Sequence, residues 1–486
     1  MEEKLEQPAL TPANENPWYV LMTLYGEQTG EEVDWGLHER NRAAWNAWAS
    51  EVLNADEQAK TAKAYPLSIA TMASWAVNRD EVQRLHKAIM LERNGANFNY
   101  PGFPDASLLV NLTRLAFDHH LVMQGTIFAR GASFYSTVIR GNAWFDAATF
   151  CRDVGFQSAT FCKRAQFDSA TFSNDALFSS AMFSGPASFG FTTFRGQARF
   201  DSSTFSGAVG FNSATFSDEV EFSSATFIEA AWFDAATFGG TAGFGSAEFG
   251  GDAVFDEATF SGYAYFIETK FDVSEKNGKA VFTDTQFQKP ANFRDAVFHS
   301  RYPDFSGAVL HDKTAFSDHP DHWPKGAQTD PVQAKASCAV IRHNLGKQGL
   351  PEAEHFFYRR EMALGKQIGR FWERLPFRLY DWLSGYGYSI ERPVRGMLWL
   401  WLLPGFAFFA RKATGVPLAD VATLFRSLGL SFANMFSFLG LQKTFFEGEL
   451  RGMGGAFQAL AGSQTVMGFV LLFFLGLGLR NRFRLK

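Results

Sequence analysis

The chain has 486 residues, which is too long for one compact domain and indicates two or three regions. A formal net charge of −5 excludes a generally basic protein that coats nucleic acid. Three cysteines are an odd and small number, which gives no disulfide framework and favours a reducing compartment. The polar, acid-rich N-terminus has no basic segment followed by an apolar core, so no cleavable signal peptide is predicted.

The first region, residues 1–105, is predicted to be a helical module that caps whatever follows it. "DEVQRLHKAIMLERNG" ends in glycine, as helices commonly do, and its apolar residues are expected to share one face: Val82, Leu85, Ile89 and Leu91. "WGLHERNRAAWNAWASEVL" is expected to bring together Leu37, Ala44, Trp45 and Trp48.

The second region, residues 106–310, repeats phenylalanine at alternating steps of five and six residues. This fixed period indicates a repeat architecture with an inward stack of rings. The predicted core stack is Phe145, Phe150, Phe156, Phe161, Phe167, Phe172, Phe178, Phe183, Phe189, Phe194, Phe200, Phe205, Phe211, Phe216, Phe222, Phe227, Phe233, Phe238, Phe244, Phe249, Phe255 and Phe260. The same phase includes Phe117, Met123, Phe128, Phe134 and Ile139 before the run and Phe266, Phe271, Phe282, Phe287, Phe293 and Phe298 after it, with Asn277 expected in place of one phenylalanine.

A small residue, usually alanine, stands two positions before most of these phenylalanines. Residues i and i−2 of an extended segment point the same way, so each short face turns one large and one small side chain inward. Ser, Thr, Asp, Gly and Asn fill the steps between faces and suit tight turns. Each face is too short to be stable alone and is expected to stack on the next coil.

The units "FDSATF", "FNSATF", "FSSATF" and "FDAATF" resemble the pentapeptide-repeat family in a phenylalanine-rich variant. The resemblance implies a right-handed quadrilateral β-helix, with about 22 residues per coil and roughly eight or nine coils. Leucine is commoner than phenylalanine at the inward position of that family, so a wider core is expected here.

The third region, residues 311–390, is predicted to be a polar linker followed by juxtamembrane helices that begin at Pro331 and Pro351. The fourth, residues 391–486, is predicted to be an α-helical membrane region with spans at about 393–410 and 459–479. Residues 427–442 are too short to span and are expected to be re-entrant or interfacial. The interfacial arrangement is preferred. It turns Asn434 toward headgroups or water, and it turns an apolar side toward lipid that comprises Leu428, Phe432, Met435 and Leu439.

Basic residues flank both predicted spans. By the positive-inside rule, an even number of spans, most simply two, is expected, with both ends in the cytoplasm. The residues that set this topology are Arg480, Arg482, Arg484 and Lys486, together with arginines before the first span. The ending "LLFFLGLGLRNRFRLK" resembles the C-termini of membrane-attached pentapeptide-repeat proteins, which implies a multi-pass protein of the bacterial inner membrane.

No catalytic residue, cofactor site or metal site is predicted, and the protein is not expected to be an enzyme. Cys151 and Cys162 are one 11-residue unit apart and should lie on opposite sides of a coil. His311, Asp312, His319, Asp321 and His322 lack the spacing of a known metal site, and "GYG" at 385–387 precedes the first span, where no selectivity filter belongs.

Eleven acidic residues and no Lys or Arg lie between Phe200 and Thr269. Two interpretations stay open: a solvated face that keeps the solenoid soluble, which is preferred, or a mimic of DNA like the acidic rods of some pentapeptide-repeat proteins. The predicted acidic surface comprises Asp218, Glu219, Glu221, Glu229, Asp234, Asp252, Asp256 and Glu257.

These features favour a non-enzymatic, membrane-anchored scaffold that presents a rigid cytosolic rod to other proteins. The expected partners are the membrane and proteins that the sequence does not identify; nucleic acid is not expected. The alternative is a channel-like protein, because two spans around a short embedded segment is the layout of a pore domain.

Overall fold

The computed structural model describes residues 10–53, 69–274, 277–413, 421–449, 452 and 454–483. The chain forms two compact units, which divide between Phe357 and Tyr358. A β-solenoid of about nine turns with four faces occupies the first unit, and helices lie at both ends of the chain. The predicted fold class is confirmed.

Four parallel sheets, here called faces 1 to 4 in chain order, form the solenoid. The strands of face 1 are Val110–Asn111, Ala132–Ser133, Val154–Gly155, Ala176–Leu177, Ala198–Arg199, Val220–Glu221, Ala242–Gly243, Ala264–Tyr265, Ala291–Phe293 and Ala315–Phe316, and those of face 2 are Thr11–Pro12, Leu115–Phe117, Val138–Ile139, Thr160–Phe161, Met182–Phe183, Thr204–Phe205, Thr226–Phe227, Glu248–Phe249, Lys270–Phe271 and Val297–Phe298. The strands of face 3 are Leu121–Val122, Ala143–Trp144, Ala165–Gln166, Ala187–Ser188, Val209–Gly210, Ala231–Trp232, Ala253–Val254 and Ala280–Val281, and those of face 4 are Ile127–Phe128, Thr149–Phe150, Thr171–Phe172, Thr193–Phe194, Thr215–Phe216, Thr237–Phe238, Thr259–Phe260 and Gln286–Phe287.

The coil has a fixed length because each strand pairs with the strand one full turn later. Thr171 pairs with Thr193, 22 residues on, and Phe172 with Phe194. One coil is longer: Ala253 pairs with Ala280, 27 residues on. The five extra residues lie between Phe271 and Phe282, and Asn277 is exposed. The expectation that Asn277 replaces a core phenylalanine was wrong, because Asn277 is exposed and the ring stack continues directly from Phe255 to Phe282.

The five-six rhythm arises from two kinds of corner. The five-residue steps, from face 1 to face 2 and from face 3 to face 4, contain a residue in the left-handed conformation, such as Ser158 (φ 55°), Ser169 (φ 59°) and Ser180 (φ 58°). A left-handed residue tightens a turn, so this corner needs one residue fewer. The six-residue corners of the regular coils have no such residue. Serine is accepted because its cost of about 1 kcal/mol is offset by the ladder on either side.

The interior consists of four columns of rings, one behind each face. Rings one coil apart lie parallel; Phe150 and Phe172 have centroids 4.9 Å apart and planes 1° apart. Rings from faces 1 and 3 meet edge to face, as Phe222 does with Phe233 at 5.5 Å and 81°. Both geometries suit the aromatic quadrupole, and burying each ring contributes roughly 2–3 kcal/mol before entropy. All 22 phenylalanines of the predicted stack are buried, with at most 1% exposure.

The small inward position takes serine or threonine at several coils. Thr192 and Thr269 are fully buried, and each hydroxyl donates at 2.7 Å to the carbonyl of a phenylalanine 25 residues earlier, Phe167 and Phe244 respectively. A buried hydroxyl is tolerated because it is hydrogen-bonded. The rule of one large and one small inward residue is therefore kept without alanine.

Helices α1 (Pro17–Met22), α2 (Trp35–Ser50) and α3 (Ile69–Asn94) precede the solenoid. The Asn46 amide donates to Gly125 O at 2.9 Å and accepts from Ile127 N at 2.9 Å. Trp45 covers the Phe128 ring at 5.5 Å. Side chains of α2 thus satisfy the open backbone edge of the first coil, which would otherwise be a template for another strand.

The predicted apolar face of α3 needs a correction. Leu85 is 38% exposed, whereas Val82, His86 and Met90 are buried. The buried side recurs every four residues and includes a histidine, because His86 Nε2 lies 2.8 Å from Pro17 O and Nδ1 lies 3.1 Å from the Tyr100 hydroxyl. Two hydrogen-bond partners make the imidazole acceptable inside, which hydropathy alone does not anticipate.

The C-terminal end of the solenoid lies inside the segment that the sequence suggests as a linker. Ala315–Phe316 forms the last strand of face 1, and the Phe316 ring stacks on Phe293 at 5.2 Å. Trp323 is 2% exposed and covers Phe298 at 5.1 Å. Polar residues surround these two rings in the sequence, so the repeat pattern does not predict the terminal coil.

Helix α4 (Pro331–Lys347) closes this end, and α5 (Pro351–Gly365) follows. Ser337 Oγ and Gln333 Nε2 donate to Pro303 O at 2.5 and 3.0 Å. Asn344 Nδ2 donates to His311 O at 3.0 Å, and Gln348 Nε2 donates to Thr314 O at 2.7 Å. Side-chain amides therefore satisfy the last open carbonyls, as Asn46 satisfies the first edge.

The second unit contains helices α6 (Phe371–Ser384), α7 (Glu391–Ala413), α8 (Val421–Met435), α9 (Leu441–Phe445) and α10 (Gly455–Phe483). In the described part of the chain, Glu391–Lys412 and Gly455–Phe483 are long and apolar enough to cross a membrane. Both contain the predicted spans.

We predict that Phe222→Asp lowers the free energy of unfolding by more than about 4 kcal/mol, because it places an unpaired charge and a void between two coils. Phe222 is fully buried and stacks on Phe200 at 4.9 Å and on Phe244 at 5.0 Å. Thermal unfolding of the purified full chain measures the loss.

Ser224→Asp is the matched control, because Ser224 is exposed and holds a left-handed turn position that Asp tolerates. Ser223 is a poorer control: it is half-buried, and its hydroxyl donates to Glu221 Oε2 at 3.0 Å. Equal melting temperatures for Phe222→Asp and Ser224→Asp would contradict the inward assignment.

Candidate functional surfaces

The outer surface of the solenoid is built from ladders of single side chains. Face 4 carries the most regular ladder, with threonine on six consecutive coils: Thr149, Thr171, Thr193, Thr215, Thr237 and Thr259. At about 4.8 Å per coil the ladder is roughly 24 Å long. Short, β-branched side chains have few rotamers, so this face is flat and stiff.

The predicted acidic residues are distributed around the rod. Asp218, Glu219, Glu229 and Glu257 are exposed, and Glu221, Asp234, Asp252 and Asp256 are half-buried. They occupy face 1 and three of the four corners. Near the ends of the acidic stretch, Asp201 pairs with Arg199 at 3.1 Å and Glu248 pairs with Lys270 at 2.8 Å. No single face gathers the acids, so a partner docking on one face meets only a few carboxylates.

One column of carboxylates does form, at the corner between faces 3 and 4. Successive coils place there Asp146, Asp168, Gly190, Asn212, Asp234 and Asp256. Burial and the adjacent Asp168 carboxylate raise the pKa of Asp146 to about 6, although the Asp168 amide donates to it at 3.2 Å. Burial and Asp256 also raise the pKa of Asp234. The repeat thus imposes like charges on neighbouring coils.

The remaining polar candidates do not come together as a reactive site. Cys151 follows a strand of face 4 and Cys162 a strand of face 2, which are opposite faces, and both are free thiols. His322 Nδ1 lies 2.6 Å from Ser317 Oγ, in the cap near Trp323. Within the ranges that the structure describes, no group of three or more His, Cys, Asp and Glu side chains is placed to hold a metal ion.

In the second unit, α7 and α10 are antiparallel. Asn481 Nδ2 donates to Gly387 O at 2.9 Å, which places the end of α10 beside the start of α7. Near the opposite end, the Phe408 and Phe457 rings lie 6.2 Å apart. Arg480 and Arg482 therefore lie at the same end of the helix pair as Arg392 and Arg395, whereas Arg484 and Lys486 lie outside the described residues.

Residues 421–449 form a hairpin that starts and finishes at the other end of α7. Glu449 accepts from Lys412 Nζ and from Arg426 Nε, both at 2.5 Å. Between these points α8 runs to the middle of the unit, where Trp401 Nε1 donates to Leu428 O at 2.9 Å. A Cβ on Gly468, halfway along α10, would come within 2.5 Å of Met435 O. The segment therefore enters and leaves at the same end of the helix pair.

The orientation preferred for residues 427–442 was wrong for Asn434 and Met435, whereas it agrees with the exposure of Phe432 and Leu439. Asn434 is 1% exposed and Met435 is 3% exposed, whereas Phe432 and Leu439 are exposed. The side of α8 that packs inward carries small and polar residues, and Ser431 Oγ donates to Trp401 O at 2.6 Å. Gln464 Nε2 donates to Leu400 O and to Ser431 O, each at 2.9 Å. Small residues and interhelical hydrogen bonds are the usual contacts between membrane helices.

The "GYG" segment at 385–387 is the corner between α6 and α7. Gly385, Tyr386 and Gly387 all have positive φ, at 54°, 60° and 77°. Tyr386 is 6% exposed, and its ring packs against Tyr380 at 5.7 Å. The corner is tight and buried and takes no part in the hairpin.

The family model described as Pentapeptide repeats (9 copies) matches residues 178–226, 200–248 and 222–270, all within the solenoid. No curated protein and no solved structure matches the chain. The match covers the most regular coils, in which the alternation of corners has no insertion.

We predict that Asp146→Asn stabilises the protein at pH 8 and has little effect at pH 4. The folded pKa of about 6 lies above the ordinary aspartate pKa of 3.8, so the native state binds the proton more tightly. Relative to a neutral side chain, Asp146 therefore carries no penalty below about pH 4, where both states are protonated, and it destabilises the fold increasingly as pH rises through 6. Asparagine fits this corner, because Asn212 occupies it two coils after Asp168.

Melting temperatures of the full chain between pH 4 and pH 8 test this. Asp218→Asn, at an exposed position on another corner, serves as the control and should leave the pH slope unchanged. An Asp146→Asn variant with the slope of the unmodified chain would contradict the carboxylate column.

Proposed function

Because this chain carries a pentapeptide-repeat domain, we propose that it is a non-enzymatic, membrane-anchored scaffold whose rod binds other proteins. The single observation that carries the proposal is the filled interior of the solenoid. Ring columns occupy the core from Phe117 to Phe316 and leave the outer ladders as the accessible surface. Flat ladders suit contact with a macromolecule, whereas small-molecule sites are concave.

The scaffold proposal is tested with paired substitutions on different faces. Thr193→Lys/Thr215→Lys alters face 4, and Thr204→Lys/Thr226→Lys alters face 2 at equivalent outward positions. We expect one pair to abolish capture of a specific protein by the detergent-purified chain and the other pair to leave it intact, with equal melting temperatures. Capture that survives both pairs, or that fails equally in both, would contradict a face-specific scaffold.

A DNA mimic is less well supported. The stretch without Lys or Arg, from Phe200 to Thr269, covers about three coils, or roughly 15 Å. That length corresponds to about four base pairs at 3.4 Å each. Basic residues lie on both sides of it, among them Arg195, Arg199, Lys270 and Lys279. A longer run of charge would be needed to occupy a DNA-binding groove.

We propose that the anchor is a two-span region of the bacterial inner membrane, with the solenoid and the C-terminus in the cytoplasm. Two candidate spans and the clustering of Arg392, Arg395, Arg480 and Arg482 at one end of the helix pair support this orientation. Protease added to sealed right-side-out cells should leave tags at Met1 and Lys486 intact. Loss of either tag, in cells that retain a cytoplasmic marker, would overturn the orientation.

The alternative is a channel, and the re-entrant hairpin favours it. A short helix that enters between two spans and returns to the same side is the plan of a pore domain. The tip of this hairpin, however, presents Phe438 and Leu439, which are 57% and 54% exposed, in place of a row of carbonyls bounded by glycines. We therefore retain the scaffold as the main proposal.

We predict that the purified full chain in planar bilayers gives no ion-selective unitary currents. The reason is that apolar side chains cover the hairpin tip, where a filter would have to coordinate ions. Discrete openings that change with Phe438→Ala but not with Lys443→Gln, a substitution in α9 beyond the tip, would establish the channel instead.

A further inference from the structure

The second unit contains a cavity of about 840 Å³ between α6, the first half of α7 and the middle of α10. One end is basic and holds Lys366, Arg378, Arg392 and Arg395. The other end is apolar and is lined by Trp399, Leu400, Leu403, Pro404, Met467 and Leu471. Along α7, Arg395 and Leu403 are about 12 Å apart at 1.5 Å per residue, so the two chemistries are separated along the membrane normal.

Positive charge is in excess at the basic end. Asp381 is the acidic residue in the lining, and it accepts from Lys366 Nζ at 2.5 Å and from Arg392 Nη1 at 2.8 Å. Arg395 pairs with Glu391 on the exposed side of α7. Among the described residues no carboxylate pairs with Arg378, which is exposed beside the cavity. Four cations against the two carboxylates of Asp381 and Glu391 leave a net positive charge for an external anion, with Arg378 unpaired in the described part of the chain and Arg395 held by Glu391 at the exposed surface.

Helix α6 forms the wall at the membrane surface. Phe371, Trp372, Leu379 and Trp382 are between 45% and 76% exposed, although α6 is also rich in arginine. Aromatic and basic residues on one amphipathic helix are typical of the boundary between headgroups and acyl chains. Trp399 and Leu403, on the apolar side of the cavity, are also about 60% exposed, so the cavity opens toward lipid.

We propose that this cavity binds an anionic glycerophospholipid of the cytoplasmic leaflet, with its phosphate at Arg378 and Arg395 and an acyl chain along Trp399 and Leu403. Charge complementarity selects the headgroup, and the apolar lining selects a lipid over free phosphate. The proposal rests on membrane insertion of the second unit, which belongs to the proposed function.

Native mass spectrometry of the full chain in detergent tests the proposal by titration with phosphatidylglycerol or phosphatidylcholine. We expect phosphatidylglycerol to bind at least about tenfold more tightly. Arg378→Gln/Arg395→Gln should weaken its binding about 25-fold, since each cation near an anionic headgroup contributes roughly fivefold. Lys443→Gln/Arg482→Gln, which removes two basic residues outside the cavity, should leave binding unchanged.

Equal binding of the two lipids, or no effect of the cavity variant, would overturn the proposal. Complete displacement of phosphatidylglycerol by millimolar inorganic phosphate would overturn it in favour of a free-phosphate site. Extraction of membranes with alkaline carbonate distinguishes failure of the lipid site from failure of the membrane anchor. A resistant protein without lipid preference refutes this inference alone, whereas an extractable protein refutes the membrane anchor as well.

Discussion

The stacking of each phenylalanine on the ring one coil away is the contact on which the solenoid depends. Stacking and the backbone ladder both require the same repeat, so the coil length is fixed at 22 residues wherever the chain is regular, as in the pairing of Thr171 with Thr193. The longer coil before Ala280 obeys the constraint, because its strands still pair with the preceding coil and Phe282 still stacks on Phe255. The inner dimension of the coil is conserved, and the outer surface is free to vary. This separation lets one geometry carry threonine ladders, acidic corners and aromatic side chains on different faces.

A stack that propagates itself has no intrinsic end, and its two ends are therefore the places where the sequence must depart from the repeat. At the first coil Asn46 bonds to Gly125 O and Ile127 N at the open edge, and Trp45 covers the terminal ring. At the last coil Asn344 and Gln348 take the open carbonyls, and Trp323 covers Phe298. Amide side chains and a neighbouring indole thus cover the open edge at both ends of the solenoid, in unrelated parts of the chain. Terminal caps of this kind are required for the solubility of a repeat protein.

The sequence predicts the features that repeat and misses those that occur once. Period and spacing were enough for the inward rings and the two long apolar helices, whereas the four faces were implied by the family resemblance. The terminal coil around Phe316 was interpreted as a linker because one phenylalanine amid polar residues carries no period. Leu85 was placed inside and His86 was not, since hydropathy cannot show that Pro17 and Tyr100 supply partners for the imidazole. Asn277 was assigned to the core only because it falls at the expected step of the repeat. An insertion shifts that step along the sequence. The excess of basic residues around Asp381 depends on α6 folding back beside α7 and α10. The spacing of residues in the sequence does not predict that packing.

The error at Asn434 shows how the solvent decides the meaning of an amphipathic helix. In water the apolar side of α8 would pack inward, and Asn434 would face out. In the second unit Phe432 faces out, and Ser431 and Asn434 face the neighbouring helices, which is the arrangement expected of a helix that packs in lipid. Two helices would suffice to anchor a rod. A third segment buries polar groups, such as the Gln464 amide that donates to Ser431 O, and this burial costs free energy. A role in anchoring alone does not explain that cost. The hairpin therefore gives the second unit a defined internal structure, beyond what two anchoring helices alone would need.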